Sequence, residues 1–452
     1  MAAGLTRAGR AQQAGSASMS IADRNALQAA LDAYDQGQAA RAEPVLRDLA
    51  TRYPKNYEAN EALGGIYAES NDLLRALPYL QRACAIAPQQ ALAHANLGAA
   101  YLKLGRGADA VGELQRASLL EPRNGATESN LGQALMSTAQ PATAAKAFRA
   151  AVEAQPKDWD LRYNLALALY ESGDAQQAKA ALTKIPDEAM TDQTQLLAGD
   201  VDEKLGDFKA AVLHYQAAAQ RTPSDTNLYT LTVELLRHWT WDEAIQVAEY
   251  GAKRYPASTH FKAAEGIALY GNSKYPEAVE AFASLLAKDP ENALYADLLG
   301  RSCSLIAEGA SVNCSGLEEF ARRHPENARA AMYAATSILH RPTAEQDTAK
   351  VEKLLQQALA ADPKLTEAYY QMGVLEQQRS RWKESAVVLE KAVELRPTYP
   401  EAHYRLSRAY SHLGMRDDAQ KQMALHEQYA QQEKDHINAR MQEVMTFLLK
   451  AN

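Results

Sequence analysis

Residues 91–124 read ALAHANLGAAYLKLGRGADAVGELQRASLLEPRN, and residues 125–158 read GATESNLGQALMSTAQPATAAKAFRAAVEAQPKD. Asn96-Leu97-Gly98 returns as Asn130-Leu131-Gly132, Ala110 as Ala144, Leu114 as Phe148, Ala117 as Ala151 and Pro122 as Pro156, each 34 residues on. A fixed period of this size means one small unit stacked many times, not a chain folded round a single core. Each block carries two stretches of helical periodicity separated by a short turn, so the unit is a pair of antiparallel helices.

The repeated residue types have physical reasons. Gly64, Gly98, Gly132, Gly199, Gly266, Gly300 and Gly373 fall at one place in the first helix. Glycine inside a helix costs about 1 kcal/mol relative to alanine. Its recurrence therefore implies a close approach of the second helix, which a larger side chain would block at roughly 1–3 kcal/mol. Ala76, Ala110, Ala144, Ala178, Ala211, Ala244, Ala278 and Ala419 match it on the second helix. Prolines such as Pro54, Pro88, Pro122, Pro156, Pro223 and Pro256 close the unit, because proline cannot continue a helix. Gly37, Gly105, Gly173, Gly206 and Gly414 stand in the turn inside the unit, where a helix end favours a left-handed residue.

This pattern resembles the tetratricopeptide repeat: a small residue in the first helix, an early Ala in the second and a closing Pro. The resemblance implies an all-α fold, a right-handed superhelical solenoid of about twelve helix-turn-helix repeats. It also implies that first helices line a concave groove that binds protein or an extended peptide segment, as a scaffold or assembly factor. Stacked asparagines at the place of Asn96, Asn130 and Asn164 hold a bound peptide's backbone in the similar transferase superhelix; the same three residues also simply fit the repeat consensus. Tyr163, Tyr170, Tyr270, Tyr370 and Tyr404 are expected on the same groove. With 22 Tyr against 6 Phe, aromatic side chains with a polar tip are abundant, and they suit a wet recognition surface.

The 452 residues carry a net charge of −8 with both signs interspersed, which argues against the basic footprint of a nucleic-acid partner. No apolar run approaches a membrane span. Three cysteines exclude a disulfide-dense scaffold and a multi-cysteine zinc site. The sequence offers no phosphate-binding glycine loop, no His-Glu-x-x-His and no Gly-x-Ser-x-Gly. No cofactor, metal site or enzymatic activity is therefore expected, and Cys84 reads as core. Cys303 and Cys314 are different: they flank the turn of one unit and are placed to form a disulfide, although two small buried residues would look the same in sequence.

In chain order, residues 1–22 read as a disordered tail or as the remnant of a signal peptide ending near Gly9-Arg10-Ala11. The repeat array is expected over 23–430, irregular at 293–365, where the turns are longer than in neighbouring units. Residues 431–452 read as a capping helix, with Ile437, Met441, Val444, Met445 and Leu448 on one face. Trp239 and Trp241 in the seventh turn read as a plug between neighbouring units. The Ala/Gln-rich composition suits a bacterial source. Two alternatives to a general scaffold stay open: an exported periplasmic chaperone or secretion-assembly component, and the regulatory subunit of a separately encoded enzyme. The compartment, partner identity and oligomeric state are not encoded legibly.

Overall fold

The computed structural model describes residues 19–306, 312–341 and 347–451; of residues 436–451 only the backbone is described. Among the described residues the chain forms twenty-four α-helices and no strand. It divides into two compact units, one ending at Asp207 and one beginning at Phe208.

The first unit holds α1 (Ile21–Asp35), α2 (Ala39–Arg52), α3 (Tyr57–Glu69), α4 (Leu73–Ile86), α5 (Ala91–Lys103), α6 (Gly107–Leu120), α7 (Gly125–Ser137), α8 (Pro141–Ala154), α9 (Trp159–Glu171), α10 (Ala175–Leu182) and α11 (Asp192–Lys204). The second holds α12 (Phe208–Arg221), α13 (Asp225–Arg237), α14 (Trp241–Arg254), α15 (Thr259–Gly271), α16 (Tyr275–Lys288), α17 (Ala293–Cys303) and α18 (Gly316–Arg323). It continues with α19 (Ala328–Leu339), α20 (Thr348–Ala361), α21 (Thr366–Gln378), α22 (Trp382–Leu395), α23 (Pro400–His412) and α24 (Arg416–Ala451). Within the pairs α1–α10 and α13–α24, odd-numbered helices come first and even-numbered ones second.

The pairing follows from a knob and a gap. A Cβ on Gly132 would come within 2.6 Å of the Phe148 ring, and one on Gly98 within 2.5 Å of Leu114. Leu80, Phe282 and Leu389 stand over Gly64, Gly266 and Gly373 in the same way. The small residue therefore makes room for a large side chain of the second helix, sixteen positions on, and not merely for its backbone. Leu80, Leu114, Phe148, Phe282 and Leu389 are fully or almost fully buried, as are Ala76, Ala110, Ala144 and Ala278.

The helix ends repeat as strictly. Each closing proline lies two residues past a second helix, and two residues later Asn56, Asn124, Asp158, Asn292 and Asn327 cap the next first helix. Turns inside the pairs use one left-handed residue, glycine at Gly37, Gly105, Gly173, Gly206 and Gly414, but Asn71, Ala139, Trp239, Ser273 and Ser380 at the equivalent places. Trp239 stacks on Trp241, and the Trp241 ring lies over Gly271 of the next pair.

One expectation on boundaries changes. Met19 is buried and Ser20 caps α1 through its hydroxyl, so 19–22 belong to the first pair and not to the tail; residues 1–18 lie outside the described residues. The second helix of the last pair and the expected capping segment are one continuous helix, α24. The apolar stripe expected from Ile437 to Leu448 lies among side chains outside the description.

Residues 304–315 separate α17 from α18 and residues 340–347 separate α19 from α20, against 36–38 between α1 and α2. In this region the gap-and-knob rule is broken. The residue sixteen after Gly300 is Gly316, and the space at Gly300 is taken by Tyr333 of α19, the next first helix. The expectation that each such glycine receives its own second helix is corrected here, because the lengthened turn shifts α18 out of register.

Candidate binding face

Within each unit the first helices form their own layer. α1, α3, α5 and α7 lie against one another in sequence in the first unit; α13 and α15, and then α17, α19, α21 and α23, do so in the second. That layer is stitched by side chains. The Tyr34 hydroxyl donates to Glu69 at 3.0 Å, Asn96 Nδ2 to Glu61 Oε1 at 2.7 Å, and Lys103 Nζ to the Ala68 carbonyl at 3.3 Å. In the second unit Arg329 reaches Asp297 at 3.4 Å and Gln377 Nε2 reaches the Arg405 carbonyl at 2.8 Å.

The three asparagines are consequently not equivalent. Asn96 is 2% exposed and Asn130 3% exposed; the Asn96 amide hydrogen is spent on Glu61, and Asn130 also has a partner. Asn164 is half-buried, and among the described residues its side chain makes no hydrogen bond. An open ladder of three inward-facing amides is therefore not what the structure presents. A carboxylate of the preceding first helix occupies the first rung. Burial pushes the Glu61 carboxyl up to about 7, while the Asn96 N–H favours its charged form.

The tyrosines fare differently. Tyr163 and Tyr170 lie seven residues apart on one face of α9, both half-buried, and neither phenol has a hydrogen-bond partner among the described residues. Burial raises both hydroxyls above the ordinary phenol value, and the Asp200 carboxylate of α11 adds to it, with Glu171 acting on Tyr163 and Glu203 on Tyr170. The face is thus aromatic and acidic. Tyr270 packs edge-on against Tyr275 at 5.6 Å, whereas Tyr370 lies tilted against Tyr399 at 5.2 Å and Tyr404, 40% exposed, tilted against His426 at 5.4 Å. Tyr163, Tyr370 and Tyr404 share one repeat position, three before the small residue; Tyr229, 37% exposed, holds the same position in α13 and was missed in the sequence. Its signal was available, since Thr232 replaces the small residue three places on.

Cys303 and Cys314 are joined, with Cα atoms 6.3 Å apart and both side chains buried. Cys84 is buried and unbonded to another cysteine; burial, then Glu113 and Glu61, push its thiol up to about 12. Among the described residues no helix is long and apolar enough to cross a membrane.

The chain belongs to the tetratricopeptide repeat family. One tetratricopeptide repeat model matches residues 27–91, 129–192, 234–293 and 263–303, a second matches 377–441, and together they span more than half of the chain. No curated protein matches it significantly in sequence. Among solved structures it is similar to the Naa15/Naa10 complex bound to HypK-THB, at 13% identity over 90% of this chain and 68% of that one, TM-score 0.42. It is similar to YrrB, a TPR protein with an unusual peptide-binding site, at 18% identity over 40% of this chain and 94% of that one, TM-score 0.38. It is also similar to Pseudomonas aeruginosa pilF, at 19% identity over 46% of this chain and 94% of that one, TM-score 0.38. These are likenesses of repeat fold.

Proposed function

We propose that the chain is a protein-interaction scaffold that binds an extended peptide segment of its partner along the first-helix face, with Tyr163 and Tyr170 as the main contacts in the first unit. The observation that carries this reading is the pair of half-buried, unpartnered phenols on one face of α9, flanked by acidic side chains of α9 and α11. Large rings with free hydroxyls give contact area and hydrogen bonds at low entropy cost. The surrounding carboxylates favour a segment carrying basic residues. Asn164, on the same helix and also unpartnered, is the remaining amide able to bond a peptide backbone.

The test is capture of partners by the full chain, followed by affinity for the captured partner. Changing Tyr163 and Tyr170 together to Ala should weaken binding by about tenfold or more and leave unfolding of the first unit nearly unchanged. Undiminished affinity in the double variant would overturn the assignment.

One observation favours the exported form of this reading. A joined, buried Cys303–Cys314 pair suits an oxidising compartment, where an assembly factor or chaperone for other envelope proteins would act.

A further inference from the structure

We propose that Cys84, His94 and Glu113 bind a single divalent cation of the zinc class, joining three successive helices of the first unit. Cys84 ends α4, His94 stands in the first turn of α5 and Glu113 in the middle of α6. One donor atom from each lies within 4.8 Å of the other two, with Cys84 and His94 buried and Glu113 half-buried. Sulfur, imidazole nitrogen and carboxylate oxygen are the donor set that borderline-soft Zn²⁺ takes, in preference to Mg²⁺ or Ca²⁺.

The imidazole supplies the second observation. Its Nε2 is 3.1 Å from the Pro88 carbonyl, which can only accept, so the proton sits on Nε2. The far nitrogen of a metal-bound histidine is held in this way in most such sites. Nδ1 stands 2.6 Å from Glu113 Oε2, at hydrogen-bond distance, so a proton joins the two in the metal-free chain and a bound cation would take its place. A proton alone would satisfy the pair. The third donor, the Cys84 sulfur within reach of both, is what a proton leaves without a role.

The last helix pair provides an internal control. His403 holds the equivalent place, with Nε2 2.8 Å from the Pro397 carbonyl and Nδ1 2.5 Å from Gln422 Oε1. There the residue equivalent to Cys84 is Val393, and an amide that can turn its NH₂ to Nδ1 replaces the carboxylate. The histidine-to-carbonyl bond thus occurs at both places, whereas the sulfur, imidazole and carboxylate set is present at the first and absent at the second. Donors around a tetrahedral zinc lie about 3.3–3.5 Å apart, given bonds near 2.0–2.3 Å. A small rotation of the half-buried Glu113 side chain would open that space.

The experiment is titration of the full chain, stripped with chelator, with Co²⁺ and then Zn²⁺. The expected result is one Co²⁺ per chain with a near-ultraviolet thiolate-to-metal band, its loss on adding Zn²⁺, and a raised melting temperature with either ion. Cys84 is the one cysteine outside the disulfide, so Cys84→Ser should abolish the band. Glu113→Gln, at a half-buried position and expected to fold, should weaken binding at least tenfold; it stands in for Cys84→Ser should that variant unfold. A band that survives Cys84→Ser overturns the proposal. So does a titration that leaves spectrum and melting unchanged, which would mean an imidazolium–carboxylate pair and nothing more.

Discussion

The helix pairs over 57–158 and those over 293–361 are built from the same repeat, yet they are held together differently. In the first stretch every gap left by a small residue is filled by Leu80, Leu114 or Phe148 of the partner helix, and the turns inside each pair are three residues long. In the second, α18 has 8 residues where α16 has 14, and the filler of Gly300 comes from α19. Other links take over. The Cys303–Cys314 bond closes the long turn, and Glu318 of α18 pairs with Arg341 at 2.5 Å and with Lys350 of α20. A repeat tolerates insertion in its turn when the packing it loses is replaced from the following unit or by a covalent tie. Apolar packing at the knob therefore contributes most of the stability in the regular region, and cross-links matter more in the irregular one.

The largest expected effect separates the two regions directly. Phe148→Ala should lower the stability of the first unit by about 3–5 kcal/mol, the usual cost of emptying a buried aromatic site. Gly316, sixteen residues after Gly300, is the formal counterpart of that knob, and a Cβ there would meet the end of the Leu286 side chain at 3.3 Å and that of Leu299 at 3.9 Å. Gly316→Ala should thus shift stability by less than about 1 kcal/mol. Denaturant unfolding read by hydrogen exchange over 125–158 and 293–339 measures both. Equal costs would dissolve the distinction.

Much of this was legible before any coordinates. The period is enforced by packing volume and chain turning, and both are written in residue types: Gly98 and Gly132, Ala110 and Ala144, Pro122 and Pro156. The uneven spacing at 293–365 was visible in the same way: Gly300 to Pro325 is 25 residues against 24 from Gly98 to Pro122, and Pro325 to Pro363 is 38 against 34 from Pro122 to Pro156. The filling of Gly300 by Tyr333 was not, because it depends on how far α18 shifts. The binding face was only half legible. Asn96, Asn130 and Asn164 look identical in sequence, and what sets Asn96 apart is Glu61, a residue thirty-five positions before it whose carboxylate reaches it across the helix layer. Cys84, His94 and Glu113 carried no readable motif, since spacings of ten and nineteen residues correspond to no known metal loop and meet only because three helices stack.

A smaller effect tests the covalent tie. Opening the Cys303–Cys314 bond by reduction, or by changing both residues to Ala, should cost roughly 2.5–3 kcal/mol in the chain-entropy treatment of a loop with sequence separation 11. The loss should appear as faster exchange over 293–339, with 57–158 unchanged. If reduction leaves exchange over 293–339 untouched, the apolar contacts of Leu317, Phe320 and Tyr333 hold that region unaided, and the contrast between packing and cross-linking fails.

The smallest effect distinguishes a stitch from a ligand contact within the regular region. The folded value of Glu61, about 7, lies above the ordinary carboxyl value of 4.5, so between these the native chain holds a proton that the unfolded chain has released. Stability from this group is therefore full at low pH, falls as pH rises through that window, and is level above it. Asn96 donates to the Glu61 carboxylate, and a hydrogen bond to a charged acceptor is worth about twice a neutral one. Asn96→Ala should accordingly cost about 1 kcal/mol at pH 5, where Glu61 is protonated, and about 2 kcal/mol at pH 8, where it is charged. Asn164→Ala, at the same repeat position but with a free amide, should cost less than about 0.5 kcal/mol at either pH and should weaken peptide binding instead. Exchange over 57–103 for the first variant and over 159–182 for the second, each at both pH values, gives the comparison. A pH-independent cost at Asn96 would mean that its amide does not serve Glu61. A stability loss at Asn164 as large as that at Asn96 would make all three asparagines structural, leaving the tyrosines of α9 to carry recognition without them.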